Sequence, residues 1–274
     1  MERIPKVIHY CWFGGKQMPP VITKCINSWQ IAMPEYEYCL WNESNFDLNA
    51  VDFVRDAVRM HKWAFVADYV RLYALFNEGG VYLDTDVLLR KPLNQFLQYR
   101  FFSGHEVHPH NCTEIERQKL GSDGVLKNSH DLVHWIHILS AVMGAEKYHP
   151  FIGDCLSYYN KQRLYGSSGK PCYSEFIIGP RISKIAESYG YRYKPVPQIL
   201  QEDMHIESPE VFVGNSAFLT KSSYAIHLCN GSWLERSTYE RILHELGNRF
   251  PILSPMITLW RKIVRNLAKP FLRQ

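Results

Sequence analysis

Short apolar runs and longer amphipathic stretches alternate along the first hundred residues. Lys6 to Phe13 (KVIHYCWF) is apolar and aromatic and stops at Gly14-Gly15, the pattern of a buried strand running into a loop. Val21 to Ile31 has helical spacing, and Tyr36 to Trp41 (YEYCLW) reads as a second strand stopped by Asn42-Glu43-Ser44-Asn45. Phe53 to Arg59 reads as a helix. Trp63 to Glu78 (WAFVADYVRLYALFNE) predicts a longer one, with Gly79-Gly80 supplying the positive φ that ends it. Val81 to Leu89 (VYLDTDVLL) follows as a strand carrying two carboxylates near its end, and Phe101 to Gly104 begins another. Strands alternating with helices in this way predict an α/β fold on a parallel or mixed sheet.

Beyond that point the pattern loosens. His105 to Asp123 is polar and irregular and predicts a mobile loop over a site, and Lys161 to Pro171 predicts a second flexible stretch. Asp131 to Met143, Phe151 to Asn160 and Ile182 to Tyr189 have helical spacing, whereas Val211 to Leu219 is strand-like. The tail changes character. No acidic residue follows Glu245, and Arg261, Lys262, Arg265, Lys269 and Arg273 are interleaved with Trp260, Ile263, Val264, Leu267 and Phe271. At helical spacing the apolar set shares one face, as in an interfacial membrane helix or a docked helix with a solvated basic face. The expected division is therefore a domain over 1–250 and a basic amphipathic helix over 251–274.

Composition narrows the class. A chain of 274 residues, 46% of them hydrophobic, can bury a substantial core. The net charge of +4 suits anionic small molecules or lipid headgroups and does not call for nucleic acid. Seven cysteines without a CxxC pair point to reduced thiols, not a disulfide framework or zinc ribbon. The opening Met1-Glu2-Arg3-Ile4-Pro5-Lys6 lacks the apolar run of a signal peptide, and no apolar stretch is long enough to span a bilayer. A cytoplasmic location, extending to the inner face of the membrane through the tail, is expected. The sequence lacks GxxxxGK[ST], GxGxxG after a strand, HExxH and GxSxG, so the common nucleotide hydrolases, dinucleotide enzymes, zincins and serine hydrolases are unsupported.

Asp84-Thr85-Asp86 is the first candidate for chemistry. On a strand, positions i and i+2 share a face, so the two carboxylates would converge and repel unless a cation lay between them. Oxygen ligands of this kind suit Mn²⁺ or Mg²⁺, with a diphosphate completing the shell. Asp68 and Arg71 share a face of an otherwise apolar helix and read as a buried ion pair, as a pair of sugar-hydroxyl ligands, or as both. Trp12 lies where the first strand runs out into glycines, the crevice in which open α/β sheets bind ligands; its indole either stacks on a base or packs in the core. His227-Leu228-Cys229-Asn230-Gly231-Ser232-Trp233 offers a further metal ligand and an indole N–H donor to phosphate. His105, Glu106, His108 and His110 lack the spacing of zinc sites and read as part of a polar loop.

Three blocks together resemble one family. ADYVRLYALFNEGGVYLDTDV (Ala67 to Val87) resembles the DxD-containing sugar-binding region of glycosyltransferase family 32, which includes Och1-like and bacterial polysaccharide enzymes, and is similar to the glucosyltransferase domains of large clostridial toxins. IPKVIHYCWFGG and HLCNGSW resemble the opening strand and closing block of the same families. The resemblance implies a GT-A-type single domain with a Rossmann-like mixed sheet and additional C-terminal helices. It also implies Mn²⁺ or Mg²⁺, a nucleotide-sugar donor with UDP-hexose favoured, and retention at the anomeric carbon. By the same resemblance, Tyr10, Cys11 and Trp12 would form the base-binding edge, Asp68 and Arg71 would hold the donor sugar, and Asp84 would reach ribose or sugar and, through water, the metal. Asp86 would ligate the metal, with His227, or Asn230 and Ser232, finishing the shell, and Trp233 would touch the leaving diphosphate.

The implied activity is a retaining hexosyl transfer to a saccharide or lipid-linked oligosaccharide, as in capsule or O-antigen building. The alternatives are a nucleotide-sugar hydrolase and a non-catalytic nucleotide- or sugar-binding module on a transferase fold. Deleting the residues after Pro255 is expected to release the chain from anionic vesicles in a sedimentation assay; unchanged association would make the tail merely structural.

Overall fold

A computed structural model describes residues 2–165 and 173–229. The chain divides into two compact units, Met1–Asn230 and Gly231–Gln274, the second lying outside the described residues with the expected tail helix. In the first unit an eight-stranded mixed sheet carries helices, the α/β architecture that the alternation and the resemblance led one to expect.

The first half of the unit follows the hydrophobic pattern closely. Strand β1 (Val7–Cys11), helix α1 (Pro20–Ala32), β2 (Glu37–Trp41), α2 (Asp52–Arg59) and α3 (Trp63–Glu78) occupy the predicted segments. Gly79 and Gly80 end α3 with φ of 69° and 111°. Any Cβ at Gly80 would also lie 2.7 Å from the Val7 carbonyl oxygen, so glycine lets the chain turn directly into the sheet beside β1. The sheet continues through β3 (Gly80–Leu83), β5 (Phe101–Val107), β6 (Ile136–Ile138), β7 (Val142–Ala145), β8 (Gln198–Leu200) and β9 (Met204–Glu207). Its order is β2-β1-β3-β7-β5-β9-β8, with β6 beside β5. The β2-β1-β3 side is parallel, whereas β7 runs antiparallel to both β3 and β5. A second sheet sets β4 (Val87–Leu89) beside β11 (Ala225–His227), which pairs with β10 (Phe212–Val213).

Four expectations are corrected. The segment from Val81 to Leu89 is two strands in two different sheets, with Asp84-Thr85-Asp86 in the turn between them; Asp84 N–H bonds the Ala141 carbonyl and Val87 N–H bonds the Asp84 carbonyl. Asp131 to Met143 is not a helix. Its β-branched residues enter β6 and β7, because β7 fills the place between β3 and β5 and sheet pairing outranks helical spacing. His105, Glu106 and Val107 are not loop but the buried end of β5, and only the residues after them form short helical turns, including α4 (Glu114–Gln118). Val211 to Leu219 keeps only Phe212–Val213 as strand.

Helices α5 (Pro150–Asn160) and α6 (Ile178–Ala186) complete the unit, and α3 packs against α2, α5 and β1. The apolar residues divide into two clusters, one built on α2, α3, α5 and α6, the other on Trp29 of α1 with β4, Phe96, Phe102 and Phe212. Trp29 is fully buried and donates its indole N–H to the Val87 carbonyl at 2.6 Å, which ties α1 to the strand that follows the carboxylates. Among the described residues no helix is long and apolar enough to cross a membrane, and all the cysteines are free.

The sheet centre leaves no spare volume. A Cβ on Gly144 of β7 would meet the Phe102 ring at 2.0 Å. Gly144→Ala is therefore expected to lower stability by ~1–3 kcal/mol through overpacking, read as a drop in Tm; an unchanged Tm would contradict this packing.

Candidate active site

Helix α3 supplies the first charged pair. Asp68 and Arg71 are buried, one helical turn apart, and the Arg71 Nη2 donates to Asp68 Oδ1 at 2.7 Å. The other side of the guanidinium reaches across to the turn after β3. Arg71 Nη2 lies 3.3 Å from Asp84 Oδ1, and Nη1 donates to the Ser140 carbonyl at 2.8 Å. The Tyr82 hydroxyl donates to Asp84 Oδ1 at 3.0 Å, and the guanidinium sits 4.6 Å from the Tyr82 ring centroid. Burial pushes the Asp68 carboxyl up to about 7, with Arg71 pulling it down and Asp84 adding to the rise. Arg71 stays charged because Asp84 and Asp68 outweigh the cost of burying it.

Asp86 comes from the same turn but points to a different partner. Strand β11 lies antiparallel to β4 with His227 opposite Val87, and the Leu228 N–H bonds the Asp86 carbonyl at 3.1 Å. That register sets His227 Nε2 3.4 Å from Asp86 Oδ1. Asp84, Asp86 and His227 each offer a ligand atom, all lying within 4.8 Å of one another. Convergence of the carboxylates thus arises from a turn held between two sheets, not from alternation along one strand.

The segment expected to be a polar loop contributes to this same place. Glu106, buried on β5, has Oε1 3.6 Å from His227 Nδ1 and 3.6 Å from His108 Nε2, and Oε2 3.8 Å from His137 Nδ1. Burial pushes the Glu106 carboxyl up, but His227, His137 and His108 outweigh it and hold the group down at about 2. Burial likewise opposes a charge on His227, and Asp86, Cys229 and Glu106 overcome it, holding the imidazole well above its ordinary value. Sequence reasoning set Glu106 aside as part of a polar loop. The available signal was that HEV directly continues the apolar run FFSG; in the fold every residue of FFSGHEV is buried, which a central strand allows when its polar groups are paired. His105 belongs elsewhere, bonded to the Val196 carbonyl and the Tyr191 hydroxyl, and His110 is exposed.

Of the base-binding candidates, Trp12 is half-buried at the carboxyl end of β1 and donates its indole N–H to the Lys16 carbonyl at 2.5 Å. Tyr10 packs edge-on against Trp29 with ring centroids 5.5 Å apart. Cys11 is a correction. Its thiol is buried in the core, where burial pushes its pKa well up, so that side chain does not face a ligand. Asn230, Ser232 and Trp233 lie outside the described residues.

The donor set decides the chemistry. Carboxylate oxygens and one imidazole fit a hard divalent ion such as Mn²⁺ or Mg²⁺, and the charged His227 occupies the position of positive charge between Asp86 and Glu106. Residues 19–102 match the family model described as the glycosyltransferase sugar-binding region containing DXD motif. That stretch is similar to a glycosyltransferase sugar-binding region. Within that region lie α3 with Asp68 and Arg71 and the turn with Asp84 and Asp86; His227 and Glu106 come from beyond it.

Two curated relatives are similar. Inositol phosphoceramide mannosyltransferase 3 of Schizosaccharomyces pombe is 33% identical over 100 residues, covering 35% of this chain and 28% of the relative. Subversion of eukaryotic traffic protein A of Legionella pneumophila is 27% identical over 117 residues, covering 33% of this chain and 18% of the relative. The chain thus matches less than a third of the length of either. Among solved structures, the galactosyltransferase LgtC with donor and acceptor sugar analogs gives a TM-score of 0.46 at 13% identity, covering 81% of this chain and 87% of that one. The PaToxG glycosyltransferase gives 0.44 at 16%, covering 68% and 69%.

The His227 proton makes stability sensitive to pH. Because the folded state holds that proton more tightly than the unfolded chain, the stabilisation is full below about pH 6.5 and is lost as pH rises through the higher folded value. Metal-free thermal melts between about pH 6 and 9 are expected to fall less steeply for His227→Gln than for the native chain. Equal slopes would contradict the charged imidazole.

Proposed function

We propose that the chain is a retaining, metal-dependent hexosyltransferase that moves a sugar from a nucleotide diphosphate donor, UDP-hexose favoured, to a saccharide acceptor. One observation carries the reading: the buried Asp68–Arg71 pair of α3 and His227 of β11 both meet the Asp84–Asp86 turn between two sheets. A simple binding module has no need of paired carboxylates aimed at a third ligand from a distant strand.

When bound, Mn²⁺ or Mg²⁺ supplies positive charge against the diphosphate as the bond from sugar to phosphate oxygen breaks. Asp84, Asp86 and His227 would hold the ion. Arg71 fixes the orientation of Asp84 and opposes the rise that burial imposes on Asp68, and both side chains would bond sugar or ribose hydroxyls. Trp12, at the open end of β1, would stack on the base. With the acceptor hydroxyl on the leaving-group face, a phosphate oxygen can take its proton, and no protein nucleophile is required. Trp233 and Ser232 would meet the diphosphate. The fungal relatives are named as mannosyltransferases of inositol phosphoceramide, which supports a hexose and keeps a lipid-linked acceptor in view. An acceptor of that kind, in capsule or O-antigen building at the inner face of the membrane, would suit the basic tail.

Asp86→Ala is expected to cut metal-dependent turnover by at least about 100-fold, the scale of losing one charge-stabilising group, while the fold stays intact by circular dichroism. A thermal-shift panel of UDP-glucose, UDP-galactose and GDP-mannose, with and without Mn²⁺, should show stabilisation that needs both components; about 2.7 kcal/mol is expected at one hundred times Kd. Undiminished turnover in Asp86→Ala, or free sugar released equally fast without acceptor, would overturn transfer as proposed.

A further inference from the structure

The imidazole that completes the hard-ion set has a second face, and a different kind of donor meets it there. Cys229 Sγ lies 3.4 Å from His227 Nδ1 and 3.8 Å from Glu106 Oε1, while His227 Nδ1 and Glu106 Oε1 are 3.6 Å apart. Zinc binds thiolate at about 2.3 Å and imidazole or carboxylate at about 2.0–2.2 Å, so tetrahedral co-ligands lie roughly 3.3–3.6 Å apart. The three separations match that spacing within a few tenths of an ångström. Without an ion the thiol makes weak hydrogen bonds across the same distances.

The backbone favours the arrangement. Cys229 holds φ of 50°, a left-handed conformation uncommon for a residue with a Cβ, and in it the thiol reaches back to His227, two residues earlier in the chain. Gly214 makes room for Glu106, since a Cβ there would lie 2.8 Å from the Glu106 Cγ. Cys229 is exposed, so an ion has a path in.

A superficially equal trio shows what is specific here. His9, Cys39 and Glu78 also lie within reach of one another. Both ring nitrogens of His9 are already engaged, however, one with the Gly79 carbonyl at 2.8 Å and the other with the Trp41 indole N–H at 3.1 Å. A ring nitrogen that accepts a hydrogen bond has no lone pair left for a metal, so His9 cannot complete that trio. His227 Nδ1 has only the weak thiol contact and the distant carboxylate.

We propose that Cys229, His227 and Glu106 form a second metal site, selective for a thiophilic divalent ion of the zinc type, whose occupation withdraws His227 from the hard-ion site. The reason for the antagonism is chemical. A neutral imidazole coordinates through one nitrogen and keeps its proton on the other. An ion on Nδ1 leaves the N–H on Nε2, directed at Asp86 3.4 Å away, where it donates to the carboxylate and offers no lone pair. Zinc binding releases the thiol proton and the second imidazole proton to solvent. The antagonism rests on the proposed hard-ion role of His227; the zinc-type site itself does not.

Cobalt(II) serves as the spectroscopic probe. Titrating metal-free native protein with Co²⁺ is expected to give a thiolate-to-cobalt absorption band in the near ultraviolet, saturating at one equivalent and discharged by Zn²⁺. The band should be lost in Cys229→Ser and kept in Cys39→Ser. No band in the native protein, or an undiminished band in Cys229→Ser, would overturn the site. Separately, Mn²⁺ bound with UDP and followed by electron paramagnetic resonance should be released by Zn²⁺ in the native chain and retained in Cys229→Ser, at unchanged Mn²⁺ affinity. Retention in both would overturn the antagonism. Absence of Mn²⁺ binding even without zinc would instead count against the hard-ion reading, with the cobalt result standing by itself.

Discussion

A guanidinium closed off from water must be met by carboxylates or carbonyls, and Arg71 is met by both. Its plane bonds Asp68 within α3, Asp84 in the turn after β3, and the Ser140 carbonyl ahead of β7. Removing such a group leaves an uncompensated buried charge, a cost of ~3–5 kcal/mol. The geometry of the carboxylate turn therefore follows from the position of one helix against the sheet. Everything built on that turn, including the orientation of Asp86 toward β11, inherits this constraint.

Around the turn the charges form a gradient of environments. Asp68 is lifted by burial, Glu106 is held low by the imidazoles around it, and His227 is held charged between Asp86 and Glu106. Acidic groups lie on one side of the site and imidazoles on the other, a donor set that would suit a cation in exchange for a proton. The two faces of His227 differ in chemistry: oxygen donors lie toward Nε2, whereas a thiol and a carboxylate lie toward Nδ1. Hard and soft ions would thus compete through one ring.

The local half of this design was legible in the residues. WAFVADYVRLYALFNE announces a buried helix by its apolar positions, and the charges at Asp68 and Arg71 stand out because so little around them is polar. Gly79-Gly80 marks the entry into the sheet, and DTD marks the carboxylates. What could not be read was where the strand carrying them ended. A run such as VYLDTDVLL is equally compatible with one strand or two, and the division at Asp84 depends on hydrogen bonds to Ala141 and on a partner strand more than a hundred residues away.

The sequence by itself determined the elements as far as Gly80, the charged pair on one helix face and the neighbouring DTD carboxylates, because spacing along the chain is enough to place groups on one helix face or beside one glycine pair. Tertiary structure alone decided that HEV at the end of β5 is core and not loop, that Asp131 to Met143 joins the sheet, and that Glu106, Cys229 and Asp86 surround the same imidazole. These outcomes turn on pairing between distant segments. Pairing energy belongs to the sheet as a whole, so no local window of residues contains it.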